Sequence, residues 1–324
     1  MNQYTVKKYT ENDYAIWNDF IDHAKNATFL FHRDFMEYHK DRFEDYSLLV
    51  FDGEKLVAVL PANVVSNEVF SHQGLTYGGL VYNQIKLIRV IEVFQSVLFF
   101  LNINNKQKLF FKAVPSIYHQ NPADEILYAV FLAEGKLVRR DSLSVIDLSK
   151  PFVIKSGRKE GIKKAIKNKL RIVETDNLDS FWEEILVPNL NLKHKAIPVH
   201  SILEITNLKL LFPKKIRQFN VLSENKIIAG TTIFETETVA HCQYISKYEN
   251  KDNSGCLDLL FHYLLKNIFK DKRFFDFGVS NENNGKKLNE GLSFWKESFG
   301  ASTIIQDFYE IESSNYEKLN NIAI

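Results

Sequence analysis

The tetrapeptide Lys55-Leu56-Val57-Ala58 returns later in the chain as Lys226-Ile227-Ile228-Ala229, and the two copies keep similar company. Each is followed by an extended stretch carrying a histidine, His72 or His241, and then by a helical pattern and a further strand. Four residues alone say little, but the shared order of elements makes a case for internal duplication. The expected architecture is two copies of one α/β domain, each a central mixed sheet flanked by helices. Pro151 marks the boundary, giving residues 1–150 and 151–324.

Periodicity supports that class, because helix and strand patterns alternate along the whole chain. In the first half, Trp17–Lys25, Arg33–Arg42, Ile85–Asn102 and Ala123–Ala133 read as helices. Tyr46–Phe51 and Lys55–Asn63 form a hairpin about Asp52-Gly53. Glu68–His72 and Thr76–Tyr82 read as a second strand pair, followed by extended segments at Lys108–Val114 and Lys136–Leu148. In the second half the helices are Arg158–Lys169, Leu178–Leu186, Ser201–Phe212 and Leu257–Phe269. Extended segments fall at Arg217–Leu222, Lys226–Phe234, Val239–Ser246 and Ile304–Ile311.

Phe274 to Ser302 reads as strand, polar loop and short helix. Phe275, Phe277 and Val279 share one strand face, opposite Phe274, Asp276 and Gly278. Asn281, Asn283, Asn284 and Gly285 supply a turn and a helix cap, and Gly300 falls where the helix would stop. Leu288, Leu292, Trp295 and Phe299 form its apolar stripe. Asn289, Ser293 and Lys296 form a polar face open to a ligand.

Bulk properties exclude several classes. With 324 residues, 45% hydrophobic, the chain can bury two real cores. Its 41 basic and 40 acidic residues leave a net charge of +1, so no global attraction to DNA exists and any anion site is local. Two cysteines, Cys242 and Cys256, are too few for a disulfide framework or zinc cluster. The nine histidines show no zinc-site spacing, so no metal is expected. The N-terminal residues lack a signal-peptide core, and no run approaches the roughly 20 apolar residues of a membrane span. A cytoplasmic location is the resulting expectation.

Several residues carry candidate chemistry. Between Lys155 and Arg171, eight cations stand against Glu160 alone, which makes this the best local anion site, with Arg158 preferred for its bidentate geometry. A solvated helix face explains most of those lysines equally well. His241 on its strand could take an amine proton, as could His200 at a helix start. Asp276, a carboxylate inside a strand, could orient the nucleophile. Each also has a purely structural reading. By the alternation, His241, Gln243 and Ile245 lie opposite Cys242 and Tyr244.

The phrases FDFGVSNENNG, LNEGLSFWKESFGA, HKAIPVHS, LFPKKI, IIAG and HCQYIS, with SHQGLTYGGLVY in the first half, resemble the FemAB-like branch of the GNAT acyltransferases. The resemblance covers most of the chain and is strongest from His194 onward. It implies two tandem GNAT-like domains and transfer of an acyl or aminoacyl group to an amine, on a cell-envelope or polysaccharide precursor. In that family the lysine of an aromatic-Lys-x-x-Phe-Gly motif is thought to bind the donor carbonyl. Trp295-Lys296-Glu297-Ser298-Phe299-Gly300 matches it, so the resemblance implies that Lys296 stabilises charge growing on oxygen. By its residues alone the position reads equally as a helix lysine that packs its stem and reaches solvent with its head.

The expected catalytic set is Lys296, His241 and Asp276, with Arg158, His200, Tyr244, Ser280 and Asn281 toward substrate. Asn253, Ser254 and Gly255, before a helix N-terminus, are the candidates to hold a donor's pyrophosphate, and they serve equally well as a plain helix cap. That loop departs from the GNAT pattern: Asp252 stands where a cation belongs and Leu257 where a small residue belongs. The sustained heptads of a tRNA-gripping coiled-coil arm are missing too. No tightly bound cofactor is expected. Acyl-CoA and aminoacyl-tRNA both stay open as co-substrates, and a non-catalytic module binding a glycan precursor or a protein is the alternative.

Overall fold

A computed structural model describes residues 4–248 and 255–322. The chain forms two compact units. The first is Met1–Asp141, Asn283–Lys286 and Ile305–Ile324; the second is Ser142–Glu282 and Lys287–Ile304.

In unit 1, β1 (Tyr4–Lys8), α1 (Tyr14–His23) and the single turn α2 (Arg33–Met36) precede the short β2 (Glu44–Asp45). The hairpin follows as β3 (Leu48–Asp52) and β4 (Lys55–Leu60), with Asp52 opposite Lys55 and Gly53 at φ +60°. That positive φ suits glycine and matches the twist of the flanking strands. Then come β5 (Asn63–Val65), β6 (Glu68–Phe70), β7 (Val81–Tyr82), α3 (Leu87–Ile103), β8 (Lys108–Lys112) and α4 (Glu125–Leu132). One sheet runs β1-β3-β4-β7. In the other, β8 pairs antiparallel with the C-terminal strand β17 (Ser302–Glu312) and parallel with β6, which continues to β5 and β2. Val50, Leu60, Val97, Leu101, Leu109, Phe111 and Ile311 join one core between strands and helices.

One expectation fails in this unit. Thr76–Tyr82 does not pair with Glu68–His72; only Val81–Tyr82 is a strand, and it bonds to β4. A Cβ at Gly78 would lie 1.5 Å from the Ser71 carbonyl oxygen, so the glycine-rich segment packs on that backbone instead of bonding alongside it. His72 falls beyond β6 at φ +112°.

Strand β9 (Lys136–Asp147) leads into unit 2, where α5 (Ser156–Lys167), β10 (Arg171–Thr175) and the turn α6 (Asp179–Phe181) follow. The expected helix at Leu178–Leu186 does not stop there. It passes through a π turn, Trp182–Leu186, into α7 (Val187–His194). Next are α8 (Ile202–Leu211), β11 (Ile216–Ser223), β12 (Lys226–Glu235), β13 (Val239–Lys247) and α9 (Cys256–Tyr263), which continues through another π turn to Ile268. The chain then forms β14 (Phe274–Val279), β15 (Asn281–Glu282), β16 (Lys287–Leu288) and α10 (Glu290–Glu297). Strand order in unit 2 is β10-β11-β12-β13-β14-β9. All pairs there are antiparallel except β13 with β14. Phe219, Ile233, Phe261, Phe275, Phe277 and Phe299 share its core.

The terminal strand-loop-helix differs from expectation in two ways. Asn283, Asn284 and Gly285 all have positive φ and fold the loop into the β15–β16 hairpin, so Leu288 lies on a strand and is 57% exposed instead of heading a helical stripe. The cap is Asn289, whose side chain accepts from the Leu292 N–H. Val279 also leaves the face of Phe275 and Phe277, because the pairing of β14 with β9 shifts between Asp276 and Val279.

Candidate active site

Lys296, His241 and Asp276 meet in unit 2 at one bend of the backbone. The sequence Asp276-Phe277-Gly278 makes the bend: Asp276 Oδ1 accepts from the Gly278 N–H at 2.7 Å, and Gly278 turns to φ +73°. Asp276 is fully buried, and its Oδ2 lies 2.9 Å from His241 Nδ1. Burying such a carboxylate is tolerable only with partners of this kind. From α10, Lys296 Nζ donates to the carbonyls of Gly278 at 2.9 Å and Val279 at 2.6 Å. Burial brings the Lys296 ammonium down to about 8, against the pull of Cys242 and Asp276.

The polar face of α10 is therefore not open as expected. Lys296 is 4% exposed, Asn289 is spent on the cap, and the Ser293 hydroxyl donates to Glu297. The bend presents the Gly278 and Val279 carbonyls to α10, and Lys296 has the length to reach both. Burial also pushes the Cys242 thiol up to about 12, and raises that of Cys256, so neither is a ready nucleophile.

The parallel pairing of β13 and β14 ends at the couple His241–Asp276. A shift in the β12–β13 pairing matters here as well: Ile233 faces Cys242, while Thr232 faces Tyr244. Gln243 is thus an extra residue on β13, and Tyr244 moves to the face of His241, not the opposite one that simple alternation gives. His200 Nδ1 sits 2.6 Å from the Tyr244 hydroxyl, and its ring also meets Phe234, the cross-strand partner of His241. Trp182, on the first π turn, packs edge-on against Tyr244 at 4.7 Å. His200 and Tyr244 therefore share the face of the catalytic candidates.

Ser280 and Asn281 follow the bend but are engaged elsewhere. Asn281 Oδ1 accepts from the Ser142 N–H at 2.8 Å, and the Ser280 and Ser144 hydroxyls are 3.4 Å apart. Both residues fasten the end of β14 to β9.

A cavity of about 370 Å³ opens at the start of α9, lined by Arg158, Lys164, Lys247, Gly255, Asp258 and Trp295. Arg158 is not held ready for a phosphate alone, since its Nη1 donates to Asp258 Oδ1 at 2.7 Å. Burial raises the Asp258 carboxyl, and Arg158 offsets that by stabilising the anion. Gly255 caps α9 at φ +83° and touches α5: a Cβ there would lie 2.0 Å from the Gly161 oxygen. Asn253 and Ser254 lie outside the described residues. Among the described residues no cluster of histidine, cysteine and carboxylate could hold a metal, and no helix is long and apolar enough to cross a membrane.

Sequence reasoning missed Gly278 and the Gln243 bulge, the two backbone irregularities that assemble the site. Glycine inside a strand pattern is a signal for the first. The second has no local signature.

No family model matches the sequence, and no curated protein matches it. Solved structures do. FemX aligns over 94% of this chain and 96% of its own, with a TM-score of 0.63 and 9% identity. This chain has a FemAB-like tandem GNAT fold. L-PGS from Bacillus licheniformis matches over 83% of this chain and 84% of that one, with a TM-score of 0.55 and 13% identity. A tandem GNAT protein from the clavulanic acid biosynthesis pathway covers 96% and 98%, with a TM-score of 0.52 and 12% identity. At these identities the likeness concerns the fold.

Proposed function

We propose that this chain is an N-acyltransferase whose chemistry is carried by unit 2. The donor is an activated acyl or aminoacyl group, and the acceptor an amine on a cell-envelope or polysaccharide precursor. The observation behind this reading is the convergence of His241, Asp276 and Lys296 on the Gly278 bend, where β13 and β14 cease to pair. In the proposed reaction the amine nitrogen attacks the donor carbonyl carbon. Asp276 holds the His241 Nδ1–H, which leaves the lone pair at Nε2 to accept the amine proton. Lys296 has three N–H donors, two of them on carbonyls, and the third meets the oxygen that gains charge. Collapse of the tetrahedral intermediate expels the donor's thiol or ribose hydroxyl, which takes the proton held at His241 Nε2.

The resemblance of the sequence to FemAB-like acyltransferases is what favours an envelope-related acceptor. The cavity beside Arg158, Lys164 and Lys247 suits the phosphates of an acyl-CoA, or of a tRNA end, in the proposed donor site.

The test is to incubate the protein with acyl-CoAs or aminoacyl-tRNA and amino-sugar acceptors, reading product by mass spectrometry. Lys296→Met that keeps its circular dichroism and melting profile should lose about 100-fold or more in turnover. Full transfer by that variant overturns the role of Lys296. Ligand binding without product from any donor would favour the non-catalytic module instead.

A further inference from the structure

Unit 1 contains a cavity of about 530 Å³ that the acyl-transfer reading does not use. Along β8, Leu109 and Phe111 point into the core, so Phe110 and Lys112 point to the other side of the sheet. Phe308 on β17 is the cross-strand partner of Lys112, and Phe70 on β6 is that of Phe110. The Phe70 and Phe110 rings stack at 4.7 Å with their planes 7° apart. Arg139 lies over the Phe308 ring at 4.5 Å, and Val138 beside it is 44% exposed. These six side chains make an aromatic floor with two cations at one end.

The two cations differ in what satisfies them. Arg139 grips Asp141 through both Nε and Nη2, at 2.9 and 2.6 Å. Lys112 donates to the carbonyls of His72 at 3.3 Å and Leu75 at 2.5 Å, and among the described residues no carboxylate pairs with it. An ammonium buried with no carboxylate in direct contact, and only Asp141 acting on it from farther off, is unfavourable unless something supplies more negative charge.

We infer that this cavity is a binding site for a small anion with a flat apolar body, a ring carrying a carboxylate or a phosphate. The ring lies on Phe70, Phe110 and Phe308, and the anionic group meets the third N–H of Lys112. The inference concerns unit 1 alone and stands whether or not unit 2 transfers an acyl group. Burial lowers the Lys112 ammonium to about 8, with Arg139 adding to that and Asp141 opposing it. Tyr309 on the same wall is pushed up to about 12, and His72, which stacks on His39, is held well below its usual value. Of these groups facing the cavity with Lys112, only the lysine changes charge between pH 7.5 and about 9.5.

Calorimetric titration of the full chain with phenyl phosphate, benzoate, inorganic phosphate and benzyl alcohol tests this. One aromatic anion should bind at least about tenfold more tightly than benzyl alcohol or inorganic phosphate, and which one separates a phosphate from a carboxylate site. Its affinity should fall as pH rises from 7.5 to about 9.5, as the ammonium loses its proton. In Lys112→Met the preference for the anion should vanish, and Phe308→Leu should weaken binding of the ring. Absence of binding by both aromatic anions, or anion binding that neither pH nor Lys112→Met alters, overturns the inference. If Lys112→Met does not fold, the pH dependence of the natural protein and the Phe308 variant decide.

Discussion

Two buried lysines contribute to how this protein responds to alkali, opposite in sign to the tyrosines and cysteines whose values burial raises. Lys296 and Lys112 are both held near 8 by burial, against the ordinary value of 10.5. Between those values the unfolded chain binds more protons than the folded one, so each lysine makes stability rise as pH rises from about 8 to about 10.5. Below pH 8 the charged form is present in both states and the cost of burying it is paid in full. Lys296→Met removes one such contribution, worth on the order of 3 kcal/mol across the window. Urea midpoints at pH 7.5 and 10.5 should therefore differ less in Lys296→Met than in the natural protein, and an unchanged difference would disprove the buried charge. At the same scale, Asp276→Asn keeps the shape of the bend but removes the anion facing His241 Nδ1. Under the proposed mechanism its turnover should fall about 100-fold, with a displaced pH optimum, while KM changes little. The residue types for this site were legible in the sequence as a lysine in a motif, a strand histidine and a charged residue inside a strand. Their meeting point was not, because the Gly278 bend depends on pairing with strands distant along the chain.

Among the elements, the contact between α5 and α9 is the most exacting. Gly255 of the α9 cap lies against the Gly161 backbone, and a Cβ at Gly161 would fall 1.8 Å from Asp258 Oδ2. Gly255→Ala meets both a backbone clash and an unfavourable φ of +83°, so it should destabilise the protein by about 2 kcal/mol or more, measured by urea unfolding. It should also weaken whatever binds in the adjoining cavity. Strands and helices with strong periodicity, such as Lys226–Glu235 and Leu87–Ile103, are read correctly from sequence to within a residue or two. Failures fall where backbone geometry outweighs pattern. Three consecutive positive-φ residues made a hairpin of what read as a helix start. A π turn carried the helix through Leu186 to His194, and one extra residue at Gln243 moved Tyr244 across the sheet. None of these has a hydrophobic period to betray it.

Each compact unit has its own apolar core, but unit 1 is not contiguous in sequence. Ile305–Ile324 returns to it, and β17 pairs with β8 from Glu312 opposite Lys108 to Phe308 opposite Lys112. A fragment ending at residue 150 loses that pairing and bares Leu109, Phe111 and neighbouring core residues, so it should be insoluble or fail to unfold cooperatively. Adding residues 305–324 through a short linker should restore a cooperative transition; a stable, cooperatively unfolding 1–150 fragment would contradict this. The sequence by itself determined the mixed α/β class, most of the strands and helices, and the likeness to FemAB-like proteins, since these rest on local periodicity and short motifs. Tertiary structure alone decided that the last strand completes unit 1, that β13 and β14 part at His241 and Asp276, and that Lys296 is buried against the bend. Those outcomes depend on which distant backbones bond to each other, and a linear pattern carries no record of that choice.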